Sequence, residues 1–450
     1  MDKNIKNLNI NPCKMCMPMG AALAMKGIEN SIMFLHGSQG CSTYIRRHMA
    51  THFNEPVDIA SSSLTETGTV YGGKDNLYKG LENTINLYQP EIIATATTCL
   101  AETIGEDIDG LLREYKLNYN KSVNIIPVTT PGYGGSQYEG YYLTLRKVLE
   151  TLSFKTVKEG HINIITAGMT PGDIRRLKEI VESFSLDYII FPDISETLDG
   201  TIVKDYKKIP KGGTSISDIK RMSGAIATIE FAKLVKADIS PGKYLEEEYA
   251  VPLYNIAVPI GLENTDVLVN LLSEISGKEI PEKLRKAKGR MLDGMIDAHK
   301  YNAEGKAAVF GEPELVYSVS TLCLENGIKP TIIATGSEAK QLRKLLNNDL
   351  LSLNQDGLIL DDIDFEEIRK LAVEGGTNIL IGNSDGHFIT ERDGIPLVRI
   401  GFPIHDHIGA QRKVFIGYEG SIRFLEDITN TLLDRKHDSY RERMYQQYYK

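Results

Sequence analysis

The sequence has no long apolar run, no excess of basic residues and only a few cysteines. No run approaches the ~20 apolar residues that a membrane-spanning helix needs, so we predict no transmembrane segment. The net charge is −9, and this acidic balance argues against nucleic-acid binding, which needs a basic surface. Residues 1–16 contain no apolar signal-peptide core, so we expect a cytoplasmic protein.

Only five cysteines are present: Cys13, Cys16, Cys41, Cys99 and Cys323. An odd count without a secretion signal does not predict a disulfide framework. Four of the five lie within the first 99 residues, which indicates metal or redox chemistry in one domain. The alternative for each is a small core residue. We expect that role for Cys323, because it lies in an apolar stretch of a predicted helix.

One pattern recurs along the chain: an apolar strand, a turn, an amphipathic helix and another apolar strand. Residues 162–168 and 188–191 predict buried strands, and apolar residues at helical spacing lie between them. Further strands are predicted near residues 32–36, 57–60, 91–98, 123–129, 307–310, 331–335, 379–381 and 398–400. Alternating β and α elements imply parallel sheets with helices on both faces. The predicted fold class is α/β, with three doubly wound, Rossmann-like domains and a C-terminal helical tail.

Chain length and changes in composition give the predicted domain boundaries. At about 150 residues per domain, 450 residues correspond to about three domains. We predict a cysteine-bearing α/β domain at 1–157, a second α/β domain at 158–300, a third at 301–425 and a helical tail at 426–450. The aromatic side chains of the tail predict a helix that docks on its own chain or on a partner subunit.

Three loops of the first predicted domain follow strands and carry the residue types of a metal site. They are residues 34–41, 96–99 and 129–136. Because ligands bind at the carboxyl ends of strands in doubly wound sheets, we expect Cys41, Cys99 and Ser136 to converge on one edge. Predicted helix N-termini at both cysteines would favour the thiolate, which is the ligand form. Glycines in these loops would let backbone N–H groups approach an anionic group closely.

An iron–sulfur cluster fits these requirements, because it takes thiolate ligands and N–H donors to its sulfurs. Zinc would need four ligands, usually in two close pairs, and Cys13-x-x-Cys16 has no second pair. Three candidate ligands without a fourth predict that another polypeptide completes the site. The alternative is a set of buried structural thiols. We interpret His405 and His407 as structural or gating residues, and no P-loop, dinucleotide fingerprint or catalytic triad is present.

Longer motifs resemble nitrogenase component 1 proteins and their assembly relatives. They are NPCKMCMPMGA at 11–21, HGSQGC at 36–41, HFNEP at 52–56, YGG at 71–73 and TTCLAETIGED at 97–107, followed by shorter matches at 191–193, 198–200 and 399–403. The pattern resembles the β-type chains, because no cysteine lies between residues 100 and 322 to match the one that anchors the large cofactor in α-type chains.

The resemblance implies roles for individual residues. Cys16, Cys41 and Cys99 match the three cysteines that a β subunit contributes to the interface cluster, and Ser136 matches a serine that can ligate that cluster on oxidation. The implied iron–sulfur cluster is [4Fe–4S] or an 8-iron P-cluster type, shared with a partner chain. Tyr71 matches the aromatic position where the ATP-driven iron protein docks, with packing on the adjacent Gly-Gly turn as the alternative.

The resemblance leaves two β-type functions. The first expectation is the β-like subunit (NifN) of the NifEN scaffold, on which the iron–molybdenum cofactor matures. It would have three partners. The α-like NifE chain would form an α2β2 heterotetramer with it and would mainly hold the FeMo-cofactor precursor. The other two are the iron protein NifH and the precursor donor NifB. The alternative is the catalytic β subunit (NifK), which relays electrons through an 8-iron interface cluster for dinitrogen reduction. Cys13 departs from the family pattern, and a structural subunit whose cysteines bind nothing is a third hypothesis.

Overall fold

The computed structural model describes residues 11–119, 122–202, 204–205, 207–352 and 357–449. Within these ranges the strands form three parallel sheets of four, five and four strands. No described helix is long and apolar enough to cross a membrane. The α/β fold with three parallel sheets, which the alternating pattern predicted, is confirmed.

The first sheet has the strand order β2-β1-β3-β4. Its strands are β1 (Ser31–His36), β2 (Ala60–Ser61), β3 (Ile92–Thr97) and β4 (Asn124–Val128). Its helices are α1 (Met17–Lys26), α2 (Gln39–Phe53), α3 (Glu66–Tyr71), α4 (Lys74–Tyr88), α5 (Cys99–Thr103), α6 (Ile108–Tyr119) and α7 (Gln137–Leu152). Every residue of β1 and β3 is buried, as expected for a parallel sheet that is covered on both faces.

The second sheet has the order β6-β5-β7-β8. Its strands are β5 (Ile162–Ile165), β6 (Tyr188–Phe191), β7 (Ala227–Glu230) and β8 (Leu253–Asn255). Its helices are α8 (Pro171–Glu182), α9 (Ile216–Arg221) and α10 (Pro241–Tyr249). Helix α8 begins with a capping box, in which Thr170 accepts from the N–H of Asp173 and the Asp173 carboxylate accepts from the N–H of Thr170.

The third sheet has the order β11-β10-β9-β12-β13. Its strands are β9 (Lys306–Gly311), β10 (Lys329–Thr335), β11 (Leu358–Leu360), β12 (Ile379–Gly382) and β13 (Leu397–Arg399). The helices of this part of the chain are α11 (Leu262–Ser276), α12 (Glu282–Asn302), α13 (Pro313–Glu325), α14 (Lys340–Ser352), α15 (Phe365–Glu374), α16 (His387–Asp393) and α17 (Gly417–Tyr449). Helix α17 is the predicted C-terminal helical tail, and it begins before residue 426.

The described residues divide into two compact units. The two-sheet unit comprises residues 15–256 and 407–413 and contains the first and second sheets. The one-sheet unit contains the third sheet and comprises the described residues within 11–14, 257–406 and 414–449. The domain boundaries predicted near residues 157, 300 and 425 stay predictions.

The segment predicted as a strand near 57–60 forms much less sheet than expected. Only Ala60 and Ser61 pair with β1. Val57 and Ile59 are buried while Asp58 between them is only half-buried. Burial therefore alternates as it does in a strand, but these three residues are not paired with β1. The apolar residues at alternate positions predicted a strand, although residues 57–59 are not part of one.

Two glycines let α1 and α7 approach closely at their N-terminal ends. A Cβ on Gly140 would lie 2.1 Å from the carbonyl oxygen of Met17, and a Cβ on Gly20 would lie 1.8 Å from that of Gln137. The N–H of Gln137 also donates to the carbonyl of Met15 at 2.9 Å. These contacts fix the start of α1 against the start of α7.

We expect Gly140→Ala to destabilise the two-sheet unit, because the new methyl group would overlap backbone atoms of α1. Overpacking of this kind costs about 1–3 kcal/mol. Gly289 in α12 is the matched control, because a Cβ there meets no atom within 4 Å. Gly289→Ala should raise stability by about 0.5–1 kcal/mol through its helix propensity. Thermal unfolding of both variants checks the prediction, and equal midpoints would contradict it.

A second prediction concerns Glu230, the fully buried last residue of β7. Burial raises its pKa to about 7, although Ser240 Oγ donates to it at 2.6 Å and the N–H of Gly242 at 3.1 Å. The folded state therefore keeps the Glu230 proton up to about pH 7, whereas the unfolded state releases it near pH 4.5. As pH rises between these two values, the free energy of unfolding falls.

Glu230→Gln should remove this pH dependence. Relative to wild type, the variant should gain about 2.5 kcal/mol between pH 5 and pH 8, at about 1.4 kcal/mol per unit of pKa shift. Thermal unfolding of both proteins at the two pH values measures the difference. A constant difference between variant and wild type would show that Glu230 does not titrate as described.

Candidate functional site

The first sheet brings two cysteines to one edge. β1 and β3 are adjacent and parallel, with His36 opposite Thr97 at their carboxyl ends. The chain after β1 enters α2, in which Cys41 is the third residue, and the chain after β3 enters α5, in which Cys99 is the first. The register therefore places both cysteines at the carboxyl edge of this sheet.

Cys16 reaches the same site from another element, as the N-cap residue of α1. Desolvation by neighbouring protein atoms raises the pKa of the Cys16 thiol, and the N–H of Met19 lowers it. Negative charge on Cys41 and Cys99 raises that pKa further. The three thiols are thus close enough for the charge on one to affect the ionisation of another.

Gly132 lies between two of these cysteines. Its N–H donates to Sγ of Cys99 at 3.2 Å. A Cβ on Gly132 would lie 2.9 Å from that sulfur and 3.3 Å from Cβ of Cys16. The loop after β4 therefore approaches the thiols with its backbone, as we expected of a glycine beside an anionic group.

Ser136 lies in the same loop but uses its hydroxyl within the protein. It is 1% exposed and is the N-cap residue of α7. Its Oγ accepts from the N–H of Tyr138 at 3.2 Å and donates to the carboxylate of Glu139. Ser136 and Glu139 form a capping box at the start of α7. Its sequence signal is the S-x-x-E spacing of residues 136–139. Ser136 as a cluster ligand stays a prediction, and ligation would have to replace these cap hydrogen bonds.

The remaining cysteines are core residues. Cys13 is 4% exposed and packs in the core of the one-sheet unit with Phe310 and Phe365. Burial raises the pKa of Cys13 to about 12, so its thiol stays protonated at neutral pH. Cys323 is fully buried in α13, which is the core role predicted for it, and burial raises its pKa to about 12. Cys13 is thus buried in a core, whereas Cys16, three residues later, is exposed.

Three of the described histidines are candidate ligands or loop residues. His405 and His407 are exposed, and the N–H of His405 donates to Ser384 Oγ at 3.2 Å. His36 is fully buried, with its Nδ1 at 3.0 Å from Ser62 Oγ, in the loop after β2. Among the described residues, no group of three His, Cys, Asp or Glu side chains could hold a single metal ion.

The thiols nevertheless fit an iron–sulfur cluster. Each iron of a cluster can take its own thiolate, so the ligands do not have to converge on one point. Cys16 and Cys41 lie at the N-terminal ends of helices of 10 and 15 residues, which place positive partial charge beside an anionic cluster. Cys16 and Cys99 are exposed and Cys41 is half-buried, so the site faces outward. Three thiols with an N–H donor suit a cluster that takes further ligands from another chain.

Tyr71, the predicted docking residue, lies at the end of α3 with its side chain in solvent. It is 85% exposed, and the neighbouring Val70 is 73% exposed. Gly72 follows with a φ of 94°, a value that favours glycine, and reverses the chain. The exposed ring is available to a partner, and its docking role stays a prediction.

Comparison with known proteins gives one family. Residues 16–433 match the family described as nitrogenase component 1 type oxidoreductase. The chain is 36% identical over 441 residues to the nitrogenase molybdenum-iron protein beta chain of Clostridium pasteurianum, covering 96% of this chain and 94% of that one. It is 33% identical over 449 residues to the nitrogenase vanadium-iron protein beta chain of Trichormus variabilis, covering 95% and 96%.

Solved structures agree with this comparison. A chain of the structure described as nitrogenase Cp1 at pH 6.5 superposes with a TM-score of 0.91 at 35% identity, covering 97% of this chain and 95% of that chain. A chain of nitrogenase Cp1 at pH 5 gives a TM-score of 0.70 at 13% identity and shows the shared fold alone.

We expect Gly132→Ala to weaken iron binding, because its Cβ would displace Sγ of Cys99. Changes in the residues that support a metal ligand cost roughly 10- to 100-fold in affinity. Gly160→Ala in the same unit is the matched control, since its Cβ meets no atom within 4 Å. Iron retained against a chelator by the anaerobically purified proteins measures the effect. Equal retention by the two variants would remove Gly132 from the site.

Proposed function

The chain belongs to the nitrogenase component 1 type oxidoreductases, and from this membership we propose that it is a β subunit that relays electrons through an iron–sulfur cluster shared with an α-type partner. The molybdenum-iron and vanadium-iron relatives that match about 95% of its length are beta chains. These matches favour the catalytic subunit, which was the alternative in the sequence analysis, over the scaffold subunit.

The observation that carries the proposal is the set of three thiols at an outward-facing edge of the first sheet. Gly132 contacts both Cys16 and Cys99, the register of β1 and β3 brings Cys41 to the same edge, and none of the three is held in a core. A cubane cluster takes four thiolates, and larger clusters take more. Three ligands from this chain therefore require a second protein surface to complete the cluster.

The residues of this chain bind and tune the group. The thiolates of Cys16, Cys41 and Cys99 would hold it, and the N–H of Gly132 would lower the negative charge on the Cys99 sulfur. The N-terminal ends of α1 and α2, at Cys16 and Cys41, would place positive partial charge beside the group. An iron–sulfur cluster supplies one-electron transfer at a potential set by such hydrogen bonds, charge and exposure.

Tyr71 supports a second partner contact. Its exposed aromatic ring is of the type that is enriched at protein interfaces. In the proposed function this surface receives the ATP-driven iron protein, which delivers electrons to the cluster. The partner chain would hold the cofactor at which substrate is reduced.

Purification under anaerobic conditions with an α-type partner tests the function. We expect an α2β2 complex, an iron–sulfur EPR signal, and acetylene reduction when iron protein and ATP are added. A complex that contains iron but does not reduce acetylene, and that instead accepts a FeMo-cofactor precursor, would establish the scaffold function. A complex without iron would overturn both functions and leave a structural subunit.

We expect Cys41→Ala to abolish the interface cluster, because the cluster loses a thiolate at the start of α2. Cys323→Ala removes a thiol from the core of α13 and is the matched control. Iron per chain should fall sharply in the first variant and stay at the wild-type value in the second. Full iron content in Cys41→Ala would exclude Cys41 as a ligand.

A further inference from the structure

A buried histidine lies directly behind the thiol site. His36 is the last residue of β1 and is fully buried. Ser62 Oγ accepts from the N–H of Gly37 at 3.0 Å and lies 3.0 Å from Nδ1 of His36. The Ser62 hydroxyl can donate to Nδ1 or to the carbonyl oxygen of Gly37 at 3.4 Å, and Nδ1 is the nearer acceptor. Donation to Nδ1 leaves the proton of the neutral ring on Nε2. Nε2 is buried and makes no hydrogen bond.

The group facing Nε2 is the carboxylate of Glu106. Glu106 Oε2 lies 3.6 Å from Nε2, and the side chain of Glu106 is 8% exposed. Its other oxygen, Oε1, accepts from the N–H of Gly73 at 2.5 Å. A Cβ on Gly73 would lie 2.9 Å from Cε1 of His36, so the backbone of the turn packs against the imidazole. We call residues 71–73 the docking turn.

The backbones of the same two residues adjoin both cysteine-bearing segments, residues 37–41 and 98–106, which we call the thiol loops. The backbone N–H of Thr98 donates to the carbonyl of His36 at 3.1 Å. The backbone N–H of Glu106 donates to Ala101 in α5 at 3.1 Å. Gly37, which begins the loop to Cys41, is held by Ser62. The docking turn and both thiol loops thus meet at one buried histidine and one buried carboxylate.

We infer that His36 and Glu106 are positioning residues that couple the docking turn to the two thiol loops. The inference rests on the proposed function, and it adds a route by which a partner that contacts Tyr71 changes the geometry of the cluster ligands. Neither side chain is among the candidate ligands of the cluster. Their effect is mechanical, because buried hydrogen bonds and close packing do not let the turn move without the loops.

Glu106→Gln is the decisive variant. Its amide oxygen can still accept from the N–H of Gly73, but its NH2 group then faces the N–H of His36 Nε2, so two donors oppose each other. Glu159→Gln is the matched control. Glu159 lies 3.6 Å from Nδ1 of the buried His161, in the same unit, next to the start of β5 and outside the thiol loops.

The first measurement needs no cluster. Amide hydrogen exchange in the full chain should become at least tenfold faster in both thiol loops of Glu106→Gln and stay at the wild-type rate there in Glu159→Gln. Faster exchange confined to the docking turn, or no change, would overturn the inference. Should Glu106→Gln fail to fold, Gly73→Ala perturbs the same imidazole from the side of the turn and decides the question by the same criterion.

The second measurement uses the complex with its partner chain. At equal iron content, the EPR line shape and the midpoint potential of the cluster should differ from wild type in Glu106→Gln and match it in Glu159→Gln. Wild-type spectra in both variants would overturn the coupling. A wild-type complex without iron would instead contradict the proposed function, and the exchange measurement would still decide whether the turn and the loops are coupled.

Discussion

The parallel pairing of β1 with β3 is the constraint on which the candidate site depends. His36 lies opposite Thr97, so both strands end at the same level and send their following segments to the same edge. Parallel neighbours must do this, whereas an antiparallel pair would send the two segments to opposite edges. Cys41 and Cys99 are 58 positions apart in the sequence, and this register brings them to one edge.

The third thiol depends on a different interaction, the close approach of α1 and α7. Gly20 and Gly140 permit backbone contact there, and no other residue would fit without displacing one of the helices. Cys16 begins one helix and Ser136 begins the other. The contact therefore brings the loop after β4, with Gly132, against the thiols. A sheet edge and a helix crossing together build a site that neither would form alone.

Much of this arrangement could be predicted from the sequence. Apolar strands alternating with amphipathic helices predicted the three parallel sheets, and the positions of Cys41 and Cys99 just after strands predicted a common edge. The segment near 57–60 was overpredicted, because its apolar residues Val57 and Ile59 are buried without belonging to a strand, and only Ala60 pairs with β1. The capping box of Ser136 had a sequence signal in the S-x-x-E spacing, but that signal does not show that the hydroxyl is buried.

The sequence by itself determined the fold class and the family, and it singled out the candidate cysteines, because hydrophobic periodicity and motif spacing are local properties of the chain. Only the tertiary structure separated Cys13 from Cys16, three positions away, by burying one in a core and leaving the other at an exposed helix start. It alone brought Glu106 to His36, 70 positions earlier. Burial and side-chain contact arise from packing between distant segments, which no local pattern records.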